Sequence, residues 1–288
     1  MHNIKRKIKR VLYRFMPTVK EPVYIPILES HLLEKRTVLI TGGSGGIGKA
    51  IAIACASNGA AVVITGRDIG RLKQAQLEIC KKSMSGAVYT YILDISDVKE
   101  FERKIDDIVA LVPNHQIDTL INNAGIDSGG GMIPYTREED YDKTLETNLK
   151  GTYFLTQAFS KYLIQESIQG NILNISSSSS VRPAVTPYMY SKWAIVGLTK
   201  GLGKRLIGNG IVVNGIGPGP TATSMLGIDG SNLYNKKSPV KRFAAPSEIA
   251  NLAVFLISDM ARMIVGETIY ITGGSGTLTF DDIDYELK

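Results

Sequence analysis

The sequence predicts an α/β fold, a single doubly wound parallel sheet of about seven strands with helices on both faces. From residue 37 onward, short apolar runs alternate with longer helical patterns, and this alternation carries the prediction. Strands that alternate with helices form right-handed βαβ units, and such units build a parallel sheet between two helical layers. A chain of 288 residues, 44% of them hydrophobic, can bury a core of that size in one domain.

The strands and helices can be placed in order along the chain. Short runs rich in apolar residues predict strands at 38–40, 61–65, 87–93, 119–122, 171–176, 211–216 and 268–272. Longer segments predict helices at 46–58, 67–82, 97–112, 137–148, 149–166, 187–209 and 246–258. This order is Rossmann-like, and sheets of that kind bind ligands beyond the carboxyl ends of their strands.

The positive charge of the chain is concentrated at its N-terminus. Residues 1–36 hold nine Lys and Arg and three acids, so they carry the whole net charge of +6. The remaining residues hold 24 charges of each sign, which argues against nucleic-acid binding by that part of the chain. The chain therefore divides into a basic arm and connector at 1–36, a Rossmann-like domain at 37–276 and an acidic tail at 277–288.

Residues 4–16 of the arm predict a short amphipathic helix that ends at Pro17. Its apolar face is formed by Ile4, Ile8, Val11, Leu12 and Phe15, and five Lys and Arg cover the opposite face. Such a helix suits an anionic lipid surface, which would make the protein peripheral to a membrane. The alternative is an arm that packs on the protein or stays disordered. No apolar run is long enough to span a bilayer and no signal-peptide pattern is present, so we expect a cytoplasmic protein.

Cysteine and histidine usage argues against metal sites and disulfides. Cys55 and Cys80 lie in apolar or helical contexts, and His2, His31 and His115 are scattered. No spacing typical of metal ligands or of a disulfide framework connects them. We expect no metal, and two unpaired thiols are typical of a reducing compartment.

A glycine-rich loop at 41–48 separates the first predicted strand from the first predicted helix. In this context a glycine-rich loop binds the pyrophosphate of a dinucleotide, which then faces the N-terminus of the helix. Gly42 would allow the tight turn, and Gly46 and Gly48 would let the backbone approach the pyrophosphate. No Lys-Ser/Thr pair follows the last glycine, so the loop is not that of a P-loop NTPase. The residues expected to contact the cofactor here are Gly42, Ser44, Gly46, Ile47 and Gly48.

The end of the second strand bears on the choice of cofactor. In dinucleotide-binding sheets an acid at this place binds the ribose hydroxyls, whereas an arginine accommodates a 2′-phosphate. Gly66 stands where the acid is expected and Arg67 follows it, which favours NADP(H). Asp68 leaves NAD(H) possible, and the alternative interpretation of Arg67 is a surface arginine at the start of a helix.

Two further strand ends offer contacts to the adenosine half of a dinucleotide. Asp94 and Ile95 follow the third strand, where Asp94 could reach adenine or instead cap the next helix. Asn123, Ala124 and Gly125 follow the fourth strand, where small residues and an amide suit close contact with a nucleotide. A simple turn would also account for the Asn-Ala-Gly run.

Tyr188 and Lys192 are well suited to proton transfer. They lie four residues apart in the predicted helix at 187–209 and therefore share one face of it. The ammonium would lower the pKa of the phenol from its ordinary value of about 10 and make it a usable proton donor. A dinucleotide loop followed by such a pair indicates hydride transfer coupled to proton transfer.

Taken in order, these motifs resemble those of the short-chain dehydrogenase/reductase family over roughly residues 36–276. The set is TGGSGGIG at 41–48, NNAG at 122–125, Asn148, the serines after Asn174-Ile175, YMYSK at 188–192 and Pro218-Gly219. The resemblance implies an oxidoreductase that interconverts a ketone and a secondary alcohol with NAD(P)(H). It also implies a homotetramer or homodimer, formed through the helices that carry Asn148 and Tyr188 and through the last strand.

The resemblance implies a role for each of four residues. Tyr188 would be the general acid in reduction and the base in oxidation, and Lys192 would lower its pKa and hold the nicotinamide ribose. Asn148 would position a water that relays protons to Lys192, and Ser177 would hydrogen bond the substrate carbonyl oxygen. The stretch from Ser177 to Tyr188 is shorter than is usual in the family, so two neighbours remain alternatives to Ser177: Ser176 and Ser178.

The segment at 218–223 resembles the turn that holds the nicotinamide carboxamide. Contacts are expected at Pro218, Gly219, Thr221 and Thr223. The polar segment that follows, 225–242, is expected to form a mobile substrate lid. Its cationic side chains either meet an anionic substrate or are solvated.

The substrate is left open by the sequence. Family members that reduce 3-oxoacyl groups on acyl carrier protein usually dock the acidic carrier with arginines, and Ile168 and Asn209 occupy those positions here. That disfavours the carrier without excluding it, since Arg205 lies nearby. The alternatives are a secondary alcohol, a sugar, a steroid-like ketone, or a lipid-linked or envelope sugar reached through the basic arm. A non-catalytic dinucleotide sensor is disfavoured because it would not need the Ser/Tyr/Lys/Asn set.

Overall fold

The computed structural model describes residues 31–83, 87–114, 116–129, 131–227 and 233–275. The predicted amphipathic helix at 4–16 and the acidic tail at 277–288 lie outside the described residues. Among the helices in those ranges, none combines the length and the apolar character needed to cross a membrane.

Seven parallel strands form one sheet, as the sequence predicts. They are β1 (Thr37–Thr41), β2 (Ala61–Gly66), β3 (Val88–Ile92), β4 (Thr119–Asn122), β5 (Gly170–Ile175), β6 (Ile211–Pro218) and β7 (Thr268–Ile271). Their order across the sheet is β3-β2-β1-β4-β5-β6-β7. Because the strand order reverses between β1 and β4, a crevice is expected at the carboxyl ends of these two strands.

Helices cover both faces of the sheet. The α-helices in the described ranges are α1 (Gly46–Ser57), α2 (Ile69–Ser83), α3 (Phe101–Leu111), α4 (Glu138–Leu145), α5 (Thr152–Gln165), α6 (Pro187–Leu206) and α7 (Pro246–Ile257). Buried side chains of α1, α2 and α7 form a core on one face, and those of α3 and α5 form a core on the other. The predicted doubly wound architecture is therefore confirmed.

Strand β1 shows why both faces are apolar. Val38 and Ile40 are fully buried in the core beneath α1, α2 and α7, whereas Leu39 is fully buried in the opposite core. Successive side chains of a strand point to opposite faces, so a strand covered on both sides is apolar throughout.

Two helices begin later than the sequence pattern predicts, and each has a local cause. Asp68 accepts a hydrogen bond on Oδ1 from the backbone N–H of Arg71 at 3.0 Å, so Asp68 caps α2 and lies outside it. Residues 94–97 form a separate turn, and α3 begins only at Phe101.

A π-helical turn at Glu146–Gly151 interrupts the two helices predicted at 137–148 and 149–166. Such turns are rare and often occur at functional sites. Gly151 lies so close to the carbonyl oxygen of Ile95 that a β-carbon would not fit. The turn contains Asn148, one of the predicted active-site residues.

Candidate active site

A cleft at the reversal point of the sheet contains many of the residues predicted to bind the nucleotide. It includes a cavity of about 370 Å³ at the carboxyl ends of β1 to β4. The predicted residues that line it are Gly42, Ser44, Arg67, Asp94, Ile95, Ala124 and Gly125. The position agrees with the rule that open α/β sheets bind ligands beyond their strand ends at a switch point.

The glycine-rich loop connects β1 to α1 at this cleft. Gly42 has a φ of +66°, a left-handed conformation that glycine adopts without steric cost, as the predicted tight turn requires. Helix α1 starts at Gly46 with Ile47 in its first turn. The N–H groups of a first turn have no partner within the helix and can bind a phosphate group.

Gly48 and Asn123 hold the glycine-rich loop against the sheet, and their predicted contacts with the cofactor stay predictions. A β-carbon at Gly48 would overlap the carbonyl oxygen of Gly42 and the side-chain amide of Asn123. That amide donates to the carbonyl oxygens of Thr41 at 2.9 Å and Gly42 at 3.2 Å. The side chain of Asn123 is thus hydrogen-bonded to the loop. Position 48 has no room for a side chain, because Gly42 and Asn123 fill the space.

Two arginines at the end of β2 line the nucleotide cavity. Arg67 was predicted there, and Arg71, in the first turn of α2, lines the same cavity. Asp68, which lies between them and also lines the cavity, uses Oδ1 to cap α2. A planar guanidinium donates in a fixed fork that matches phosphate, so the two arginines fit a 2′-phosphate.

Asp94 lines the cavity but its carboxylate is partly engaged. Its Oδ1 accepts hydrogen bonds from the backbone N–H of Ser96 at 2.9 Å and from the Ser96 hydroxyl at 2.7 Å. Asp94 therefore holds the turn at 94–97, and it does not cap α3. Its contact with adenine stays a prediction.

The turn predicted to hold the nicotinamide lies between the glycine loop and β7. A β-carbon at Gly46 would lie 3.5 Å from the methyl group of Thr223, so these two predicted residues face each other. At the start of the turn, the Gly219 N–H donates to Ile271 O at 2.9 Å, directly after Pro218 ends β6. The Thr221 hydroxyl donates to Gly219 O at 2.9 Å, so the Thr221 side chain stabilises the turn itself.

Tyr188 lies in the first turn of α6, which Thr186 caps by accepting the Met189 N–H at 3.2 Å. Burial raises the pKa of the Tyr188 phenol, a hydrogen bond with Ser177 lowers it, and the Asp127 carboxylate raises it. The net effect is a pKa above the ordinary value of 10. The predicted Ser177 and Tyr188 therefore meet in the structure.

Lys192 lies one turn further along α6 and is buried. Its Nζ donates to Ile175 O at 2.9 Å and lies 5.7 Å from the centre of the Tyr188 ring. Burial lowers the pKa of Lys192 to about 8. Burial has the largest effect on the pKa of the Tyr188 phenol, and the lowering of that pKa by Lys192 stays a prediction.

The Asn148 side chain connects the loop after β4 to α6 through hydrogen bonds. Its Oδ1 accepts the Ile126 N–H at 2.8 Å, and its Nδ2 donates to Ile126 O at 2.8 Å and to the Ser191 hydroxyl at 3.1 Å. The Ser191 hydroxyl donates in turn to Tyr188 O at 2.7 Å. Both amide hydrogens are therefore used within the protein, and the role of Asn148 in positioning a water stays a prediction.

The neighbouring serines differ in their surroundings. The Ser176 hydroxyl donates to Lys192 O at 2.9 Å and is buried. Ser178 is buried in a short 3₁₀ turn, Ser178–Val181. Of the three serines considered, Ser177 is the one whose hydroxyl acts on Tyr188.

A family model described as enoyl-(acyl carrier protein) reductase matches residues 42–276 of this chain. The chain belongs to the short-chain dehydrogenase/reductase family. It is 34% identical over 247 residues to the 3-oxoacyl-[acyl-carrier-protein] reductase of Thermotoga maritima, with 84% of this chain and 98% of that protein covered. It is 33% identical over 246 residues to the L-xylulose reductase of Caenorhabditis elegans, with 83% and 95% covered.

Solved structures agree with this assignment. A putative 2-deoxy-D-gluconate 3-dehydrogenase from Agrobacterium tumefaciens with bound NADP matches with a TM-score of 0.72 and 30% identity, covering 84% of this chain and 96% of that one. This short-chain dehydrogenase/reductase therefore shares both its sequence motifs and its sheet with proteins of the family.

Two charged residues near the site of this short-chain dehydrogenase/reductase were not predicted from the sequence. Asp127 acts on Tyr188 although it lies 61 positions before it in the chain. Arg71 shares the nucleotide cavity with Arg67. The Asp-x-x-Arg spacing at the start of α2 could have located Arg71, because the capping residue and the third helical residue lie at the same end of the helix. No sequence pattern points to Asp127.

Arg242, a cationic side chain of the predicted lid, pairs with an acidic side chain of α7. Its guanidinium forms two hydrogen bonds to Glu248, at 2.6 and 2.8 Å. Hydrogen bonding to Arg242 in turn lowers the pKa of Glu248. Arg242 therefore fastens the end of the predicted lid to α7, and the described residues of the lid lie on either side of 228–232.

Proposed function

We propose that this protein is an NADP(H)-dependent oxidoreductase that interconverts a ketone and a secondary alcohol, with Tyr188 as the general acid and base. The observation that carries the proposal is the convergence of Ser177, Tyr188 and Lys192, with the Lys192 Nζ 3.5 Å from a β-carbon built on the cleft residue Gly125. Hydride arrival at a carbonyl carbon creates an alkoxide, which needs a hydrogen-bond donor and a proton. Ser177 and Tyr188 supply these two groups.

Each residue has a distinct part in this proposal. The Ser177 hydroxyl holds the substrate oxygen, and the Tyr188 phenol delivers its proton to that oxygen in reduction. The raised pKa keeps Tyr188 protonated at neutral pH, which suits its role as an acid. Lys192 holds the ribose and provides a cation close to the ring. Asn148 is a positioning residue that fixes Ile126 relative to α6.

The cofactor preference rests on Arg67 and Arg71. Both line the nucleotide cavity, and Asp68 is partly committed to capping α2. The residues present therefore fit NADP(H), which when bound would supply or accept the hydride. The bound NADP of the related Agrobacterium protein supports the same choice. Ser44 and the first turn of α1 would hold the pyrophosphate.

The proposed substrate class is a small-molecule ketone. Among the relatives, one is named for a 3-oxoacyl thioester and another for a sugar, so both classes are candidates. Ile168, which stands where carrier-binding members have an arginine, is 9% exposed and offers no charge to an acidic carrier. That geometry favours a free ketone over a carrier-bound one.

Parallel titrations with NADPH and NADH, followed by nicotinamide fluorescence, test the cofactor. We expect clearly tighter binding of NADPH. Oxidation of NADPH is then measured with acetoacetyl-N-acetylcysteamine, L-xylulose, L-sorbose and levodione. Turnover of at least one carbonyl compound is expected, and binding of neither nucleotide would contradict the proposal.

We also propose that the protein is a homo-oligomer. An aromatic surface on the π turn side of the molecule remains 39–47% exposed in the single chain: Tyr141, Tyr153, Phe154, Tyr190 and Trp193. Clusters of this kind on α4, α5 and α6 are typical of protein–protein contacts. Light scattering should show an oligomer that Tyr153→Glu dissociates, whereas Leu77→Glu on α2, which is also exposed, leaves it intact.

A cytoplasmic location with peripheral membrane contact through residues 4–16 is a further proposal, supported by the charge distribution alone. All of the net charge of +6 lies in residues 1–36. Co-sedimentation with anionic vesicles compares the full chain with residues 21–288. Loss of sedimentation on truncation is expected, and equal sedimentation would contradict membrane contact.

A further inference from the structure

A chain of hydroxyl groups connects β7 to the backbone of Ser177. The Ser180 hydroxyl lies 2.6 Å from the carbonyl oxygen of Ser177 and 2.9 Å from the phenol oxygen of Tyr270. A serine hydroxyl has one hydrogen to donate, and a carbonyl oxygen can only accept. The Ser180 hydroxyl therefore donates to Ser177, and the Tyr270 phenol donates to Ser180.

The sheet holds Tyr270 in the position that this chain requires. Tyr270 in β7 is paired with Gly217 in β6. Its ring lies against Gly217 so closely that a β-carbon there would overlap ring atoms. Because Gly217 has no side chain, the ring of Tyr270 fits beside it. The phenol oxygen then reaches Ser180, which is 1% exposed.

The 3₁₀ turn at Ser178–Val181 is also held by hydrogen bonds at both of its ends, and Ser177 directly precedes it. The Ser177 hydroxyl accepts the Ser179 N–H at 3.1 Å, and its oxygen lies 3.2 Å from the Ser179 hydroxyl. It also acts on the Tyr188 phenol. At the far end of the turn, the Trp193 indole N–H donates to Arg182 O at 2.9 Å. The Arg182 guanidinium also donates to Ser275 O, so the turn is attached to both α6 and the chain after β7.

We propose that Tyr270 and Ser180 are positioning residues that fix the Ser177 hydroxyl against Tyr188, which makes β7 part of the apparatus that orients the substrate carbonyl. The proposal rests on the proposed function, since it takes Ser177 as the group that binds the substrate oxygen. Neither Tyr270 nor Ser180 touches the reacting atoms. Their effect passes through the backbone carbonyl of Ser177.

The geometry predicts what loss of this chain does. Tyr270→Phe keeps the ring against Gly217 but removes the phenol hydrogen, and Ser180→Ala removes the donor to Ser177. A small displacement of a catalytic group has a large effect on rate, so each change is expected to lower kcat about tenfold. The affinity for NADPH should not change, because the described contacts of these residues lie away from the nucleotide cavity.

A double-mutant comparison separates positioning from a general structural effect. Tyr270→Phe is measured in the wild-type background and in Ser177→Ala, with whichever compound of the four-member carbonyl panel is turned over. If Tyr270 acts through Ser177, its effect on kcat disappears once the hydroxyl of Ser177 is absent. Tyr89→Phe on β3 serves as the control and should leave kcat unchanged. An equal loss in both backgrounds, or no loss in the wild-type background, overturns the proposal.

A second measurement does not depend on turnover. The absorbance change at alkaline pH is recorded for each protein and for its Tyr188→Phe counterpart, and the difference reports ionisation of the Tyr188 phenol alone. Because Ser177 lowers the pKa of Tyr188, Tyr270→Phe and Ser180→Ala are expected to raise it. An unchanged phenol pKa would refute the positioning role. If the pKa rises while no carbonyl compound is reduced, the positioning role stands and the proposed function fails.

Discussion

The Nζ atom of Lys192 lies 5.7 Å from the centre of the Tyr188 ring, and it is hydrogen-bonded at 2.9 Å to the carbonyl oxygen of Ile175. This places the charge beside the aromatic ring while the carbonyl accepts one of its hydrogens. Burial then has opposite effects on the two residues, since it raises the pKa of the phenol and lowers the pKa of the ammonium to about 8.

The buried ammonium of Lys192 destabilises the folded protein. Below pH 8, Lys192 is protonated in both the folded and the unfolded protein, so the folded protein carries the full free-energy cost of the buried charge. Between pH 8 and the ordinary lysine pKa of 10.5, only the unfolded chain stays protonated, so this cost declines as pH rises. Lys192→Met is therefore expected to raise the free energy of unfolding by up to about 3 kcal/mol at pH 7, and by much less at pH 10.5.

Urea unfolding at a series of pH values measures this difference. Lys200→Met, an exposed lysine of the same helix, provides the control and should show no pH-dependent gain. A Lys192→Met advantage that stays constant from pH 7 to 10.5 would exclude the buried charge as its cause.

Asp127 is expected to shift the upper pH limit of reduction, although burial of Tyr188 has the larger effect. Its carboxylate raises the pKa of Tyr188, and reduction needs the protonated phenol. Asp127→Asn removes the negative charge, so the Tyr188 pKa falls and the alkaline loss of kcat/KM moves to lower pH. In the oxidation direction the rise in rate moves to lower pH as well. Asp142→Asn, at an exposed carboxylate on α4, should leave both profiles in place.

The two arginines of the nucleotide cavity are expected to determine the preference for NADPH. Arg67→Ala and Arg71→Ala should each weaken NADPH binding about tenfold to a hundredfold, because each removes charge-assisted hydrogen bonds to the 2′-phosphate. NADH, which lacks that phosphate, should bind as before. Arg103→Ala serves as the control, since Arg103 pairs with Glu100 and Asp107 on α3. Equal losses for both nucleotides would show a general electrostatic effect.

Gly48 is expected to tolerate no side chain. A β-carbon would overlap Gly42 O and the Asn123 amide, so Gly48→Ala should lower the free energy of unfolding by about 2–3 kcal/mol and weaken nucleotide binding. Gly201→Ala in α6 is the matched control. Its β-carbon meets nothing within 4 Å, and alanine should stabilise that helix by up to about 1 kcal/mol. Similar effects of the two substitutions on nucleotide binding would contradict the proposed fit.

The sequence was most informative where chemistry follows from local spacing. The alternation of strands and helices predicted the sheet, and the four-residue spacing of Tyr188 and Lys192 predicted their shared helix face. It was least informative where distant segments meet. Asp127 acts on Tyr188 only because the loop after β4 comes close to α6, and no spacing in the chain encodes that contact.

The packing around the predicted residues could not be predicted from the sequence for the same reason. Gly48 and Asn123 are predicted cofactor contacts by motif, and packing between β1, α1 and β4 also makes them parts of the loop. Asn148 lies in a π turn, a structure that helical periodicity does not distinguish from an α-helix. The helix pattern predicted that Asn148 lies in a helical segment. It did not predict the direction in which its side-chain amide points.

The most direct test of the central assignment is Tyr188→Phe. The purified variant is titrated with NADPH and assayed with a carbonyl compound that the wild-type protein reduces. NADPH affinity is expected to stay unchanged and kcat to fall about 10²–10⁴-fold, since the phenol proton is the one delivered to the alkoxide. Turnover within a few fold of wild type would show that Tyr188 is not the acid.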